Sequence, residues 1–147
     1  MSRILEIQKK SNDWLSNFEA NVIRIIESGQ EKTIDLNKKQ MLGHKDADGK
    51  PLIHKSTGKE TLSKQYARKT GKKKPNFFVT GEFQNAMFLF MPDEKQYFIG
   101  SKDRKVEWLS ENYGQKIFGV APDNHPKAQA INDKAIIEDY LKLVFQT

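Results

Sequence analysis

The chain has 147 residues, 37% hydrophobic and 30% charged, with a net charge of +6 and a mean hydropathy of −0.73. This length favours one domain, and 10% aromatic residues supply anchors for a packed core rather than a disordered chain. The absence of cysteine excludes disulfides, thiolate zinc sites, iron–sulfur ligation and a cysteine nucleophile. The longest apolar run, Ala86-Met87-Phe88-Leu89-Phe90-Met91, falls far short of the roughly 20 residues of a membrane helix. Glu6, Lys9 and Lys10 interrupt the first residues, so no signal peptide is expected, and the reading is of a soluble protein. Charge is unevenly placed. Residues 38–75 hold twelve Lys/Arg and three Asp/Glu, a local +9 within a total of +6, so the remainder carries −3. A single-signed segment attracts phosphate or an acidic protein face, although most lysines of such a stretch are expected to be solvated.

In chain order, the first 28 residues predict a helix, because Leu15, Phe18, Val22, Ile25 and Ile26 recur every three or four positions, with Trp14 at the border. Asn12 or Ser11 offers a cap, Gly29 a stop, and residues 3–10 either extend the helix or form a separate piece. Thr33-Ile34-Asp35-Leu36 reads as a short strand, with Met41 and Leu42 pinning the segment to the core. Asp46-Ala47-Asp48-Gly49-Lys50-Pro51 reads as a turn. A helix is expected over residues 57–70, where Leu62 and Tyr66 lie one turn apart, ending at Gly71. Lys72-Lys73-Lys74-Pro75 is then a charged connector.

Residues 76–101 carry the clearest β signal. Thr80 is expected to cap a short helix containing Phe83, Ala86 and Met87. Residues 87–91 predict a buried strand, Pro92-Asp93-Glu94-Lys95 a four-residue connection, and Gln96-Tyr97-Phe98-Ile99-Gly100 the antiparallel return. Ser101 or Asp103 caps a helix through Tyr113, placing Val106, Leu109 and Tyr113 on one side, and Gly114 stops it. Ile117-Phe118-Gly119-Val120 reads as a further short strand. Residues 126–146 read as a closing helix with Ile131, Ala135, Ile137, Leu141, Val144 and Phe145 as its apolar positions. The fold class that follows is α+β: an antiparallel hairpin or sheet packed against long N- and C-terminal helices. It is a single domain over residues 1–147, with a basic, loop-rich middle at about 38–75 that is expected to be mobile or ordered by a partner, because few apolar residues offset its ordering entropy.

Motifs for chemistry are weak. Asp46-x-Asp48-Gly49 resembles a calcium loop, but that frame puts Lys55 where a bidentate Glu is required. Gly58-Lys59-Glu60-Thr61 lacks the earlier Gly and the metal-binding hydroxyl of a phosphate loop. His44, His54 and His125 fall in predicted loops without metal-ligand spacing. Pro92-Asp93 followed by Asp103-Arg104-Lys105 resembles the two-carboxylate-and-lysine pattern of Mg²⁺ nucleases, yet Asp93 is expected in a turn and Asp103 at a helix start. Glu107 and Glu111 are four apart on a helix and read as solvated. The reading is therefore of a non-enzyme, with no catalytic residue, no metal site and no cofactor.

Thr80-Gly81-Glu82-Phe83-Gln84-Asn85-Ala86 and Trp108-Leu109-Ser110-Glu111-Asn112-Tyr113-Gly114, in this order around a hairpin, resemble the tail-completion or virion-morphogenesis proteins of tailed bacteriophages. The anchors are Thr80, Gly81, Phe83, Tyr113 and Gly114. Phe83 stands where the family usually has Leu and Ala86 where it has Ser, and Lys116-Ile117-Phe118 replaces an Arg-Pro-Phe. The resemblance implies a structural virion protein, made in the host cytoplasm, at the head–tail junction or tail terminus. It also implies a homo-oligomeric ring around the DNA channel, touching other neck or tail proteins and no membrane. Lys64, Arg68, Lys69, Lys72, Lys73 and Lys74 are then the candidate residues facing DNA or a partner. The alternatives are a basic nucleic-acid-binding module and a Mg²⁺-dependent nuclease.

Overall fold

A computed structural model describes residues 2–77 and 81–146. The described chain is mixed helix and sheet, with the N- and C-terminal helices packed on a two-stranded antiparallel hairpin. Helix α1 spans Arg3–Ser16 and is capped by the Ser2 hydroxyl, which accepts the Leu5 N–H, rather than by Ser11 or Asn12. Helix α2 spans Phe18–Ser28. Between them Asn17 leaves helical geometry at φ −106°, ψ 23°, and this break shifts the phase of the apolar stripe. Trp14, Val22, Ile25 and Ile26 are consequently buried, whereas Leu15 and Phe18, expected on the same face, are exposed.

Gly29 separates α2 from α3, Gln30–Leu42. The strand expected over residues 33–36 is thus helical. The buried positions Thr33, Ile34, Asn37, Gln40 and Met41 do follow helical spacing, but three of them are polar, which hides the period from a hydrophobicity reading. Two of the polar residues, Asn37 and Gln40, replace a missing strand neighbour. Asn37 donates from Nδ2 to the Ile117 carbonyl (3.0 Å) and accepts the Gly119 N–H on Oδ1 (2.9 Å). Gln40 donates to the Gly119 carbonyl (2.9 Å) and accepts the Ala121 N–H (2.6 Å). The expected strand at residues 117–120 is instead a 3-10 turn over Gln115–Ile117, followed by this clamped segment.

The turn expected over residues 46–51 is present. Asp46 Oδ1 accepts the N–H groups of Asp48 and Lys50, and an isolated bridge joins Lys45 to Pro51. Helix α4 covers only Lys64–Thr70, starting at a Ser63 cap on the Tyr66 N–H and ending at left-handed Gly71. No residue of α4 is buried. Residues 57–63 are too polar to gain the burial that would prolong it.

Helix α5 is the short Glu82–Asn85. Strands β1, Met87–Asp93, and β2, Gln96–Ser101, pair in the register Met87↔Ser101 to Phe90↔Phe98, with a shift before Asp93↔Gln96. The connection is therefore the two residues Glu94-Lys95 rather than four. Asp93 Oδ1 accepts the N–H groups of Lys95 and Gln96 and tightens the turn. Pro92, which has no N–H to give, sits at the irregularity, where a ladder tolerates it. Helix α6 runs Val106–Tyr113 and stops at Gly114, φ 88°. It is preceded, not capped directly, by Ser101 and Asp103, whose side chains accept the N–H groups of Asp103 and Lys105. Helix α7 is His125–Phe145.

The main core gathers Ile26, Ile34, Met41, Leu52, Phe83, Leu89, Ile99, Leu109 and Ile117 beneath the hairpin. A smaller cluster of Trp14, Ile25 and Val144 joins α1 and α2 to α7. Of the apolar positions expected inside α7, Val144 is fully buried, while Ile137, Leu141 and Phe145 are exposed. Among the described residues no helix is long and apolar enough to cross a membrane.

Candidate functional site

The basic middle segment folds against α6 and encloses an open cleft of about 480 Å³. Backbone cross-links hold its walls: Lys55 donates to the Asn112 carbonyl (2.7 Å), and Leu62 to that of Lys73 (2.8 Å). His44, itself at φ 63°, donates from Nδ1 to the Pro75 carbonyl (3.0 Å), tying the end of α3 to the same wall. The interior is aromatic. Phe77 meets Tyr113 edge-on at 5.0 Å and Phe83 at 6.1 Å, and His54 meets Tyr113 at 5.3 Å. Phe77 adopts φ 60°, an uncommon conformation for a bulky side chain, which its three-ring cluster helps to hold. Burial, and secondly the neighbouring Tyr66, pushes the Tyr113 phenol above its ordinary pKa.

Tyr66 and Trp108 stand at the cleft with 41% and 56% of their surfaces exposed, beside Lys72 and Lys105. Among the described residues no carboxylate lines it. Flat rings beside ammonium groups suit an anionic, planar or apolar guest. Of the sequence-derived basic residues, Lys72 lines this cleft, and Lys64, Arg68 and Lys69 lie on α4 with Tyr66. Lys74 instead pairs with Glu60 at 3.4 Å, and Lys73 is exposed beside it. In the sequence His54 reads only as a loop histidine without metal-ligand spacing, Trp108 only as the start of the family-like aromatic stretch and Phe77 only as part of the β region; none reads as a cleft residue. Their only signal is the three-residue spacing of Lys105 and Trp108, which shares a helix with core-facing Leu109.

The motif residues have different fates. Thr80 lies outside the described residues. Gly81 precedes α5 at φ 86°, a conformation open to glycine. Phe83 is 1% exposed and stacks on Phe118 at 5.8 Å. Tyr113 lines the cleft, and Gly114 ends α6 beside it. Asp93 belongs to the end of β1 rather than to the turn proper. Its carboxylate is committed to the N–H groups of Lys95 and Gln96 and to the Gln96 side chain, which hold its pKa below the usual range. Asp103 is likewise engaged with the Lys105 N–H. Among the described residues, no three His, Asp or Glu side chains form a cluster able to hold a metal.

A second surface lies on the outer face of the hairpin. Phe90 and Phe98 stack at 5.6 Å while 47% and 50% exposed, and Phe88 adjoins Phe90 at 6.3 Å. Phe88 lies flat over Gly100, where an added Cβ would stand 3.1 Å from the ring. Lys102 caps this ring at 5.7 Å. The two edges of the hairpin differ. On β1, the outward N–H groups of Leu89 and Met91 donate to Gln30 Oε1 (2.7 Å) and Glu27 Oε1 (3.0 Å), so α2 and α3 close that edge. Neither a family model, nor a curated protein, nor a solved structure matches the chain.

Proposed function

We propose that this chain is a non-enzymatic structural component of a tailed-phage virion, acting at the head–tail junction or tail terminus and assembling with its own copies around the DNA channel. The resemblance at Gly81, Phe83, Tyr113 and Gly114 points to this class. The observation that supports an assembling protein is the stacked Phe90–Phe98 face, turned outward on a sheet that has two strands among the described residues. Two strands are marginal alone, and an aromatic face left to water gains by being covered. The basic middle segment then contributes phosphate contacts without reading sequence. Mass spectrometry of purified particles of a phage that encodes the chain tests the proposal. Stoichiometric presence in particles supports it, and absence overturns it.

The cleft favours a second reading, a nucleic-acid-binding module. Tyr66 and Trp108 offer stacking platforms, and Lys72 and Lys105 offer cations. Base stacking contributes about 1–3 kcal/mol per base in single-strand binders. Affinity for a single-stranded oligonucleotide that falls with salt and with Trp108→Ala supports this reading, and salt-independent or absent binding removes it.

A further inference from the structure

We infer that the cleft between the basic middle segment and α6 holds a single nucleotide, its base between Tyr66 and Trp108 and its phosphate at Lys72 and Lys105. The inference rests on the nucleic-acid-binding reading of the cleft and names the unit it takes. The aromatic rings of the cleft fall into two sets. Phe77 and His54 each pack edge-on against Tyr113 and form a built cluster. Tyr66 on α4 and Trp108 on α6 line the same space from separate elements, both exposed. Among the described residues neither of these two rings touches another aromatic ring. Exposed rings without ring partners are stacking platforms, and every base has a flat face to offer them.

The polar tips in the cleft are also uncommitted. Among the described residues the Tyr66 and Tyr113 hydroxyls and Trp108 Nε1 have no hydrogen-bond partner. His54 Nδ1 accepts the Ser56 N–H (3.2 Å), so in the neutral ring the proton sits on Nε2 and makes it a donor. Donors and acceptors around an apolar interior suit the edge of a base, whereas an aliphatic guest leaves them unused. Charge selects the rest of the guest. Lys105 forms no ion pair among the described residues, and Lys72, which holds Asn76 Oδ1 at 3.4 Å, lines the cleft with it. Two cations with no carboxylate among the described lining residues attract a phosphate. The volume of about 480 Å³ lies in the lower part of the roughly 300–1,000 Å³ of small-ligand sites, which admits one nucleotide and no duplex. A free nucleoside monophosphate and an unstacked nucleotide of a single strand share this chemistry.

The two tryptophans of the full chain make the test direct. Trp14 is buried with its Nε1 bonded to Asp139, whereas Trp108 is exposed with an unbonded Nε1. In an NMR titration, adenosine monophosphate is expected to shift the Trp108 indole signal with one-to-one saturation and to leave the Trp14 signal in place. Adenosine is expected to shift the same signal more weakly, and inorganic phosphate to leave it unmoved. By calorimetry, Trp108→Ala is expected to weaken adenosine monophosphate binding about five- to 150-fold, the range of base stacking, and Trp108→Phe, which keeps a flat ring, to bind far better than Trp108→Ala. Lys105→Gln is expected to weaken it about two- to fivefold, as one exposed charge pair suggests, without changing adenosine binding. An unmoved Trp108 signal, or a Trp108→Ala chain that binds adenosine monophosphate as the native chain does, overturns the inference. A single-stranded adenine pentanucleotide separates this from the broader reading. If the strand binds in a salt-dependent way while the Trp108 signal stays unmoved by either ligand, the cleft inference fails and the nucleic-acid reading stands. If the mononucleotide binds at Trp108 and the strand does not, the nucleic-acid reading fails and the cleft is a free-nucleotide site.

Discussion

Helices α3 and α4 both lie in polar, lysine-bearing sequence, yet α3 is built into the core while α4 buries nothing. The difference is not hydrophobicity. Helix α3 presents Thr33, Asn37 and Gln40 at 0%, 0% and 7% exposure on the face that carries Ile34 and Met41. Two of these polar residues satisfy backbone groups of residues 117–121, which lack any strand partner. A buried amide that reads the backbone from both its donor and its acceptor fixes a helix as firmly as an apolar side chain, because leaving those groups unpaired is costly. Helix α4 has only its Ser63 cap and its Gly71 stop, so its place follows from the ends of the segment and from Tyr66 at the cleft.

The sharpest way to break this contrast is Asn37→Ala. It leaves the Ile117 carbonyl and the Gly119 N–H without partners, and a loss of about 2–4 kcal/mol is expected in denaturant unfolding. A loss below that of an ordinary surface substitution would mean that the clamp contributes little. Gln40→Ala removes the corresponding pair at Gly119 and Ala121 and is expected to cost about 1–3 kcal/mol, the remaining exposure of Gln40 allowing water to compensate.

The α2–α7 contact lies between the two extremes. Arg24 donates to both oxygens of Asp139 (3.1 and 2.9 Å), and Trp14 Nε1 donates to Oδ2 (3.0 Å). The Arg24 hydrogen bond foremost, with help from Trp14, holds the Asp139 pKa below its usual range. A depressed carboxylate stabilises the fold above its unfolded pKa, and the contribution is lost as pH falls through the folded value. Thermal melts of the native chain are expected to lose more stability below about pH 4 than those of Asp139→Asn, by at most about 1 kcal/mol. Identical pH profiles would remove the Arg24–Asp139 pair from the account.

On α4, Tyr66→Ala is expected to change stability by less than about 0.5 kcal/mol, since the residue is substantially exposed. A larger loss in chemical denaturation would show that the cleft wall belongs to the cooperative core.

Local chemistry made much of the chain legible. The hairpin pairing of residues 87–101, the Asp46 turn, the stops at Gly71 and Gly114 and the closing helix follow from side-chain alternation, Asx hydrogen bonding, and glycine's access to positive φ. Hydrophobic periodicity also placed Val22, Ile25, Ile26, Leu89 and Leu109 inside. What it could not see was any position where burial depends on a partner distant in sequence. The reading of residues 33–36 as a strand failed because Asn37 and Gln40 look like surface residues until the 117–121 backbone lies beside them, some eighty residues away. The shared face of Leu15 and Phe18 failed because the break at Asn17 redirects α1 toward α7. The candidate surfaces divide in the same way. The six candidate basic residues, Lys64, Arg68, Lys69, Lys72, Lys73 and Lys74, were visible as charge, but their sorting into a cleft-lining Lys72, an exposed Lys73, an ion-paired Lys74 and the α4 group is a matter of packing. Sequence by itself determined the hairpin, the Asp46 turn, the glycine stops, the closing helix and the charge of the middle segment, because these depend on neighbours within a few residues. Only the tertiary structure decided which strand edge is closed by Glu27 and Gln30 and which aromatic rings share a cleft, because both depend on side chains brought together from separate elements.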